Sequence, residues 1–156
     1  NGIGRCATET GGTPPNPVSC LTCRPIFTRS LMQKKVIFTT DAPPPIGPYS
    51  QAVMVGGTLY VSGQVAIAQA EAGASIETET RQVMLNIGEI LRAAGLGYQH
   101  IVKTTIFLKD MNQFAAVNGV YGQFFADHFP ARETVQVARL PKDVNVEISC
   151  IAVAEK

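Results

Sequence analysis

Three observations on this 156-residue sequence predict an α+β fold. Two β-type runs, 51–55 and 58–62, flank the dipeptide Gly56-Gly57, the chemistry of a tight hairpin turn. Two stretches with helical apolar spacing, 75–94 and 110–125, stand on either side of an alternating run at 101–109. Further β-branched runs, 134–138 and 144–153, close the chain around a break at 141–143. The order is strand, hairpin, helix, strand, helix, hairpin. It predicts one mixed sheet with both helices packed on one of its faces.

In chain order, residues 36–39 form a short β-type run. Asp41-Ala42-Pro43-Pro44-Pro45-Ile46-Gly47-Pro48 cannot be regular structure, because proline fixes φ and removes donors. Such a stiff loop suits the holding of Tyr49. Gly63 closes the second hairpin strand, where a missing side chain fits either a bend or the approach of a ligand to the backbone. Residues 66–74 read as a polar loop. Ser75 or Thr78 caps the first helix, and Glu77 and Glu79 in its first turn favour the helix dipole. Val83, Ile87, Ile90, Leu91 and Ala94 give it one apolar face, and Gly95 ends it. Asp110 with Gln113 reads as a capping box for the second helix. That helix carries Phe114, Val117, Tyr121 and Phe124/Phe125 on one side. Gly119 and Gly122 suit close packing on a sheet. Asn118 is polar on it, and His128 belongs to the loop that follows.

Residues 1–33 differ from the rest. They are rich in Gly and Pro, show no periodicity, and hold arginines with almost no acid. We read them as an N-terminal extension, a transit peptide or a tail outside the core, and residues 34–156 as one domain. Met32-Gln33-Lys34-Lys35 looks like the start of that domain. Residues 1–35 carry a formal charge of +4 and residues 36–156 a charge of −3. An acidic body argues against a nucleic-acid groove. No run of 18 apolar residues exists, so no membrane span is expected. Cys6, Cys20 and Cys23 lie in the extension and Cys150 in a strand, which is no disulfide framework. A reducing compartment fits, the cytoplasm, or a mitochondrion or plastid if the extension is a transit peptide. Cys20-Leu21-Thr22-Cys23 has the spacing of half a zinc site whose other half is missing, so no metal is expected.

The richest chemistry lies at 128–149. Arg132 opens one predicted strand, and Glu147 stands inside the next among Val146, Ile148, Cys150 and Ile151. A carboxylate in so apolar a run is costly unless it has a partner or a task. Arg132 offers a planar fork suited to a carboxylate, and Glu147 an acceptor able to hold or activate water. The same pair also fits an ion pair across a hairpin.

Pro130-Ala131-Arg132, Val135, Ala138, Leu140 and Val146-Glu147-Ile148 resemble the signature of the RidA (YjgF-type) family of enamine/imine deaminases. So do Ile46-Gly47-Pro48-Tyr49-Ser50-Gln51-Ala52, Val61-Ser62-Gly63-Gln64, and Asn86 through Gly95. Together these cover roughly residues 34–154, in the family's order. Glu133 departs from the family, which usually has a small or apolar residue after the arginine.

The resemblance implies a chorismate-mutase-like sandwich that forms homotrimers with clefts between subunits. It implies hydrolysis of 2-aminoacrylate-type enamines and 2-imino acids to 2-keto acids and ammonia, with no metal or organic cofactor. Arg132 would clamp the substrate carboxylate and Glu147 would position the water. Gly63 and Thr134 would hold the substrate through backbone, Tyr49 would wall the cleft, and Asn118 would stand near the ligand. Glu133 should face away from Arg132, since successive strand residues oppose. Two other classes remain open at this point: a non-enzymatic binder or sensor of small carboxylates, and an endoribonuclease or translation inhibitor.

Overall fold

A computed structural model describes residues 33–154. The six strands are β1 (Lys35–Ile37), β2 (Ala52–Val55), β3 (Thr58–Gln64), β4 (Ile101–Leu108), β5 (Ala131–Gln136) and β6 (Val146–Val153). They form one sheet in the order β1-β2-β3-β6-β4-β5. All neighbours are antiparallel except β4 and β5, so the sheet is mixed as predicted. The helices are α1 (Ile67–Glu71), α2 (Ile76–Ala93) and α3 (Phe114–Tyr121).

Local chemistry explains most elements. Gly56 and Gly57 both have positive φ, 58° and 82°. A two-residue hairpin turn such as the one between β2 and β3 demands this pair of angles. Ser75 caps α2 by accepting the Thr78 N–H. Gly95, at φ 77°, ends that helix. Val83, Met84, Ile87, Ile90 and Leu91 of α2 are all fully buried. They meet Leu59, Ile106, Ile148 and Ala152 of the sheet in one apolar cluster. Burial of each such side chain contributes about 1.5–3 kcal/mol.

The sequence reading needs four corrections. Residues 66–74 hold α1, a five-residue helix that packs beside α2; it has no side-chain cap and is too short to show periodicity. Asp110 caps only a 3-10 turn, Met111–Gln113, by accepting the Asn112 N–H. The Gln113 half of the box is not made, and the side-chain oxygen of Gln113 has no partner among the described residues. The apolar side of α3 is not wholly core, since Phe114 is exposed while Val117 and Tyr121 are buried.

The fourth correction matters most. β5 and β6 are not a hairpin, because β4 lies between them. β6 buries every second residue, Val146, Ile148, Cys150 and Ala152, and takes the centre of the sheet between β3 and β4. β5 has charged and mostly exposed positions and takes the edge, where such residues are tolerated. It runs parallel to β4, and the segment containing α3 provides the crossover that a parallel pair requires. Residues 141–143 form a 3-10 turn leading into β6, not a hairpin loop.

Candidate active site

The revised topology separates Arg132 from Glu147. Arg132 lies opposite Thr104 on β4, and Glu147 lies opposite Phe107 on the other side of that strand. Positions 104 and 107 differ by an odd number, so their side chains leave opposite faces of the sheet. Within one chain the two residues cannot form an ion pair, and each lines its own cavity, a candidate half-site.

The first half-site gathers around Glu147 on the face of the sheet away from the helices. Glu147, Tyr49, Gly63, Ser62, Ile46, Val65 and Pro141 line a cavity of about 220 Å³. Gly63 is where the register between β3 and β6 shifts. A Cβ built on Gly63 would overlap the Glu147 carboxylate and stand 2.7 Å from its carboxyl carbon. The glycine therefore makes room for this protein's own glutamate, a tighter requirement than the ligand approach expected. Burial pushes the Glu147 carboxyl pKa above its ordinary value of 4.5. An upward shift is the direction that makes a carboxyl a better proton acceptor.

Tyr49 is presented by the proline loop. Its hydroxyl accepts the Ile46 N–H at 3.2 Å, and its own N–H donates to Gly47 O at 2.8 Å. The loop is in turn tied to the sheet by Gln51, which is only 2% exposed. The Gln51 amide donates to the carbonyls of Thr39, Ala42 and Pro43, and its oxygen accepts the Thr39 N–H. The Ser62 hydroxyl donates to Ser50 O at 2.7 Å, closing the loop onto β3.

The second half-site gathers around Arg132 on the helix side of the edge strand. Arg132, Asn118, Tyr121, Gly122 and Phe129 line a second cavity, also about 220 Å³. The guanidinium lies 5.0 Å from the Tyr121 ring centre and 5.7 Å from that of Phe114. Both distances are within the range of cation–π attraction. Tyr121 is itself anchored by a 2.8 Å hydrogen bond between its hydroxyl and that of Thr104. Two oxygens in this region, Asn118 Oδ1 and Thr134 Oγ1, are buried and have no partner among the described residues. Buried polar atoms of this kind are costly until something pairs with them.

Glu133 does not enter this half-site. Its carboxylate accepts the Thr105 hydroxyl at 2.8 Å. It also pairs with Lys103 at 3.1 Å. Both partners lie on the opposite face from Arg132, as strand alternation requires. These contacts hold its carboxyl below the usual range. His128 is an exposed loop residue. Cys20 and Cys23 lie outside the described residues.

Sequence reasoning missed Ser62, Pro141, Phe114 and Tyr121 as site walls. Phe114, Asn118 and Tyr121 are spaced i, i+4, i+7, one face of a helix. That spacing was the available signal that Asn118 and the two rings act together.

Comparison with known proteins agrees with this architecture. The sequence profile of the family described as Endoribonuclease L-PSP matches residues 39–154. A RutC family protein of Synechocystis sp. is 50% identical over 127 residues, covering 78% of this chain and 98% of the relative. The Capra hircus protein named 2-iminobutanoate/2-iminopropanoate deaminase is 50% identical over 128 residues, covering 80% and 93%. Among solved structures, E. coli TdcF with bound serine superposes with a TM-score of 0.73 at 44% identity, covering 78% of this chain and 99% of that one. The E. coli YjgF gene product gives 0.73 at 47% identity, with the same coverage. The chain belongs to this family, that of the YjgF, RutC and RidA proteins.

Proposed function

We propose that the protein is a 2-iminobutanoate/2-iminopropanoate deaminase, which hydrolyses 2-imino acids and the enamines in equilibrium with them to 2-keto acids and ammonia. The observation that carries this reading is the Glu147 carboxylate, raised in pKa and lodged over Gly63 beside Tyr49 in a cavity sized for a small molecule. Mammalian relatives that bear the deaminase name are 44–50% identical to this chain.

In this mechanism the Arg132 fork binds the substrate carboxylate through two parallel N–H donors. Glu147 holds a water against the C=N carbon and takes its proton as the C–O bond forms. That proton passes to nitrogen to give a carbinolamine. The carbinolamine hydroxyl then yields its proton, by way of Glu147, to the amine as C=O forms and the C–N bond breaks, so that ammonia leaves a 2-keto acid. Positioning and acid–base help are sufficient, the latter contributing on the order of 10²–10⁴-fold.

A complete site requires two copies of the chain. The helix-free face of the sheet exposes Val36, Tyr60, Val135 and Val153, apolar surface suited to burial against a neighbour. We take the assembly to be a homotrimer in which Arg132 and Thr134 of β5 and Asn118 of α3 from one subunit meet Glu147, Tyr49 and Gly63 of the next.

The reading is tested by coupling the protein to a threonine dehydratase and following release of 2-ketobutyrate. Wild type is expected to accelerate release, and Arg132→Ala to lose at least about 100-fold in kcat/KM through loss of the charged fork. Bound serine in E. coli TdcF favours the rival reading of a carboxylate-binding protein. Ligand binding by wild type that depends on Arg132, without acceleration, would select that rival. Cleavage of RNA in place of either result would favour the nuclease that the family description names.

A further inference from the structure

Glu79 is a buried carboxylate that the proposed chemistry leaves unused. It sits in the first turn of α2 and is 0% exposed. Among the described residues it makes no ion pair. One residue satisfies it instead. Glu79 Oε2 accepts the backbone N–H of Asn145 at 3.1 Å, and Oε1 accepts the Asn145 side-chain amide at 2.5 Å. The positive end of the α2 dipole supports the charge.

Asn145 is placed where such a clamp has leverage. Its carbonyl accepts the Lys109 N–H at 3.0 Å, so both of its backbone groups are tied. The next residue, Val146, begins β6, and the one after that is Glu147. On its other side, Asn145 follows the turn that carries Pro141, a wall of the Glu147 cavity. That turn holds Lys142 at φ 55° and Asp143 at φ 57°. Non-glycine residues adopt this conformation at a cost. A segment of this kind needs an external tie to keep one geometry.

We infer that Glu79 is a positioning residue: its clamp on Asn145 fixes where β6 begins and so aims Glu147 across Gly63 with Pro141 at its side. A buried ionic group is a poor source of stability and is best attested as a device for register. Here the register in question is that of the strand carrying the acid–base group. The inference rests on the deaminase reading only where activity is the readout.

The clamp can be inverted, which gives a direct test. Glu79→Gln sets an amide against the Asn145 amide, and Asn145→Asp sets two carboxylates face to face. The double variant restores one complementary side-chain bond with donor and acceptor exchanged, while the backbone N–H at 145 still donates to the side-chain oxygen at 79. Each single variant is expected to lower kcat by about tenfold with KM within about twofold, and the double variant to recover most of the loss. The titration of the Glu147 carboxyl, followed by ¹³C NMR, reads the same geometry without any substrate. Its pKa should fall back toward 4.5 in the single variants and rise again in the double. Lower thermal stability with kcat and the Glu147 titration both unchanged would overturn the inference. A double variant no better than either single would do the same. If wild type proves not to be a deaminase, the titration alone decides between these outcomes.

Discussion

Glu147 and Arg132 are held by opposite means. Glu147 stands on a central strand, and its surroundings act by exclusion: Gly63 gives it space, Pro141 and Val65 wall it, and burial raises its pKa. Arg132 stands on an edge strand, exposed, with its guanidinium over the rings of Tyr121 and Phe114. The first arrangement tunes a proton affinity, which requires a desolvated interior. The second leaves a charge in contact with solvent, which an edge strand tolerates. The two side chains stand on different strands, β6 and β5.

The sharpest way to break this comparison is to mix two inactive chains. Arg132→Ala and Glu147→Ala, refolded together at equal amounts, are expected to recover roughly a quarter of wild-type activity if each site draws one residue from each of two neighbours. Recovery near zero would put both residues of a site on one chain and contradict the faces assigned above.

A smaller effect should separate the two halves by stability. Because burial raises the Glu147 pKa in the folded state, the folded protein holds that proton more tightly than the unfolded chain. The stability this provides is fully present below the unfolded value of 4.5 and is lost as pH rises through the folded pKa. Glu147→Gln, neutral throughout, is therefore expected to melt above wild type at pH 8 and to show no such gain at pH 4. Melting below wild type at pH 8 would mean that the ionised carboxylate is held by favourable partners.

The smallest effect belongs to Glu133, the residue that departs from the family. Its partners Lys103 and Thr105 lie on the other face from Arg132. Glu133→Ala is expected to change kcat/KM by no more than about twofold and stability by less than about 1 kcal/mol, as for other exposed pairs. A large rise in activity would show that Glu133 competes with substrate for Arg132.

Much of the fold was legible in the residues. Gly56-Gly57 specified its hairpin because two consecutive positive φ angles exclude most other residues. Ser75, Gly95 and the apolar face of α2 marked one helix at both ends and along its length. Arg132 and Glu147 stood out because charge beside β-branched residues demands an explanation. What could not be read was which strand lies next to which. Residues 141–143 carry the signals of a turn whether the strands on either side pair with each other or with others.

The sequence alone therefore determined the local elements, the chemistry available and the residues that carry it, because these depend on side-chain type and on neighbours a few positions away. Only the tertiary structure decided that β4 lies between β5 and β6, that Arg132 and Glu147 face opposite sides, and that Gly63 exists to admit a glutamate 84 positions later. Those outcomes depend on which distant strand buries the most apolar surface, a competition settled across the whole chain at once.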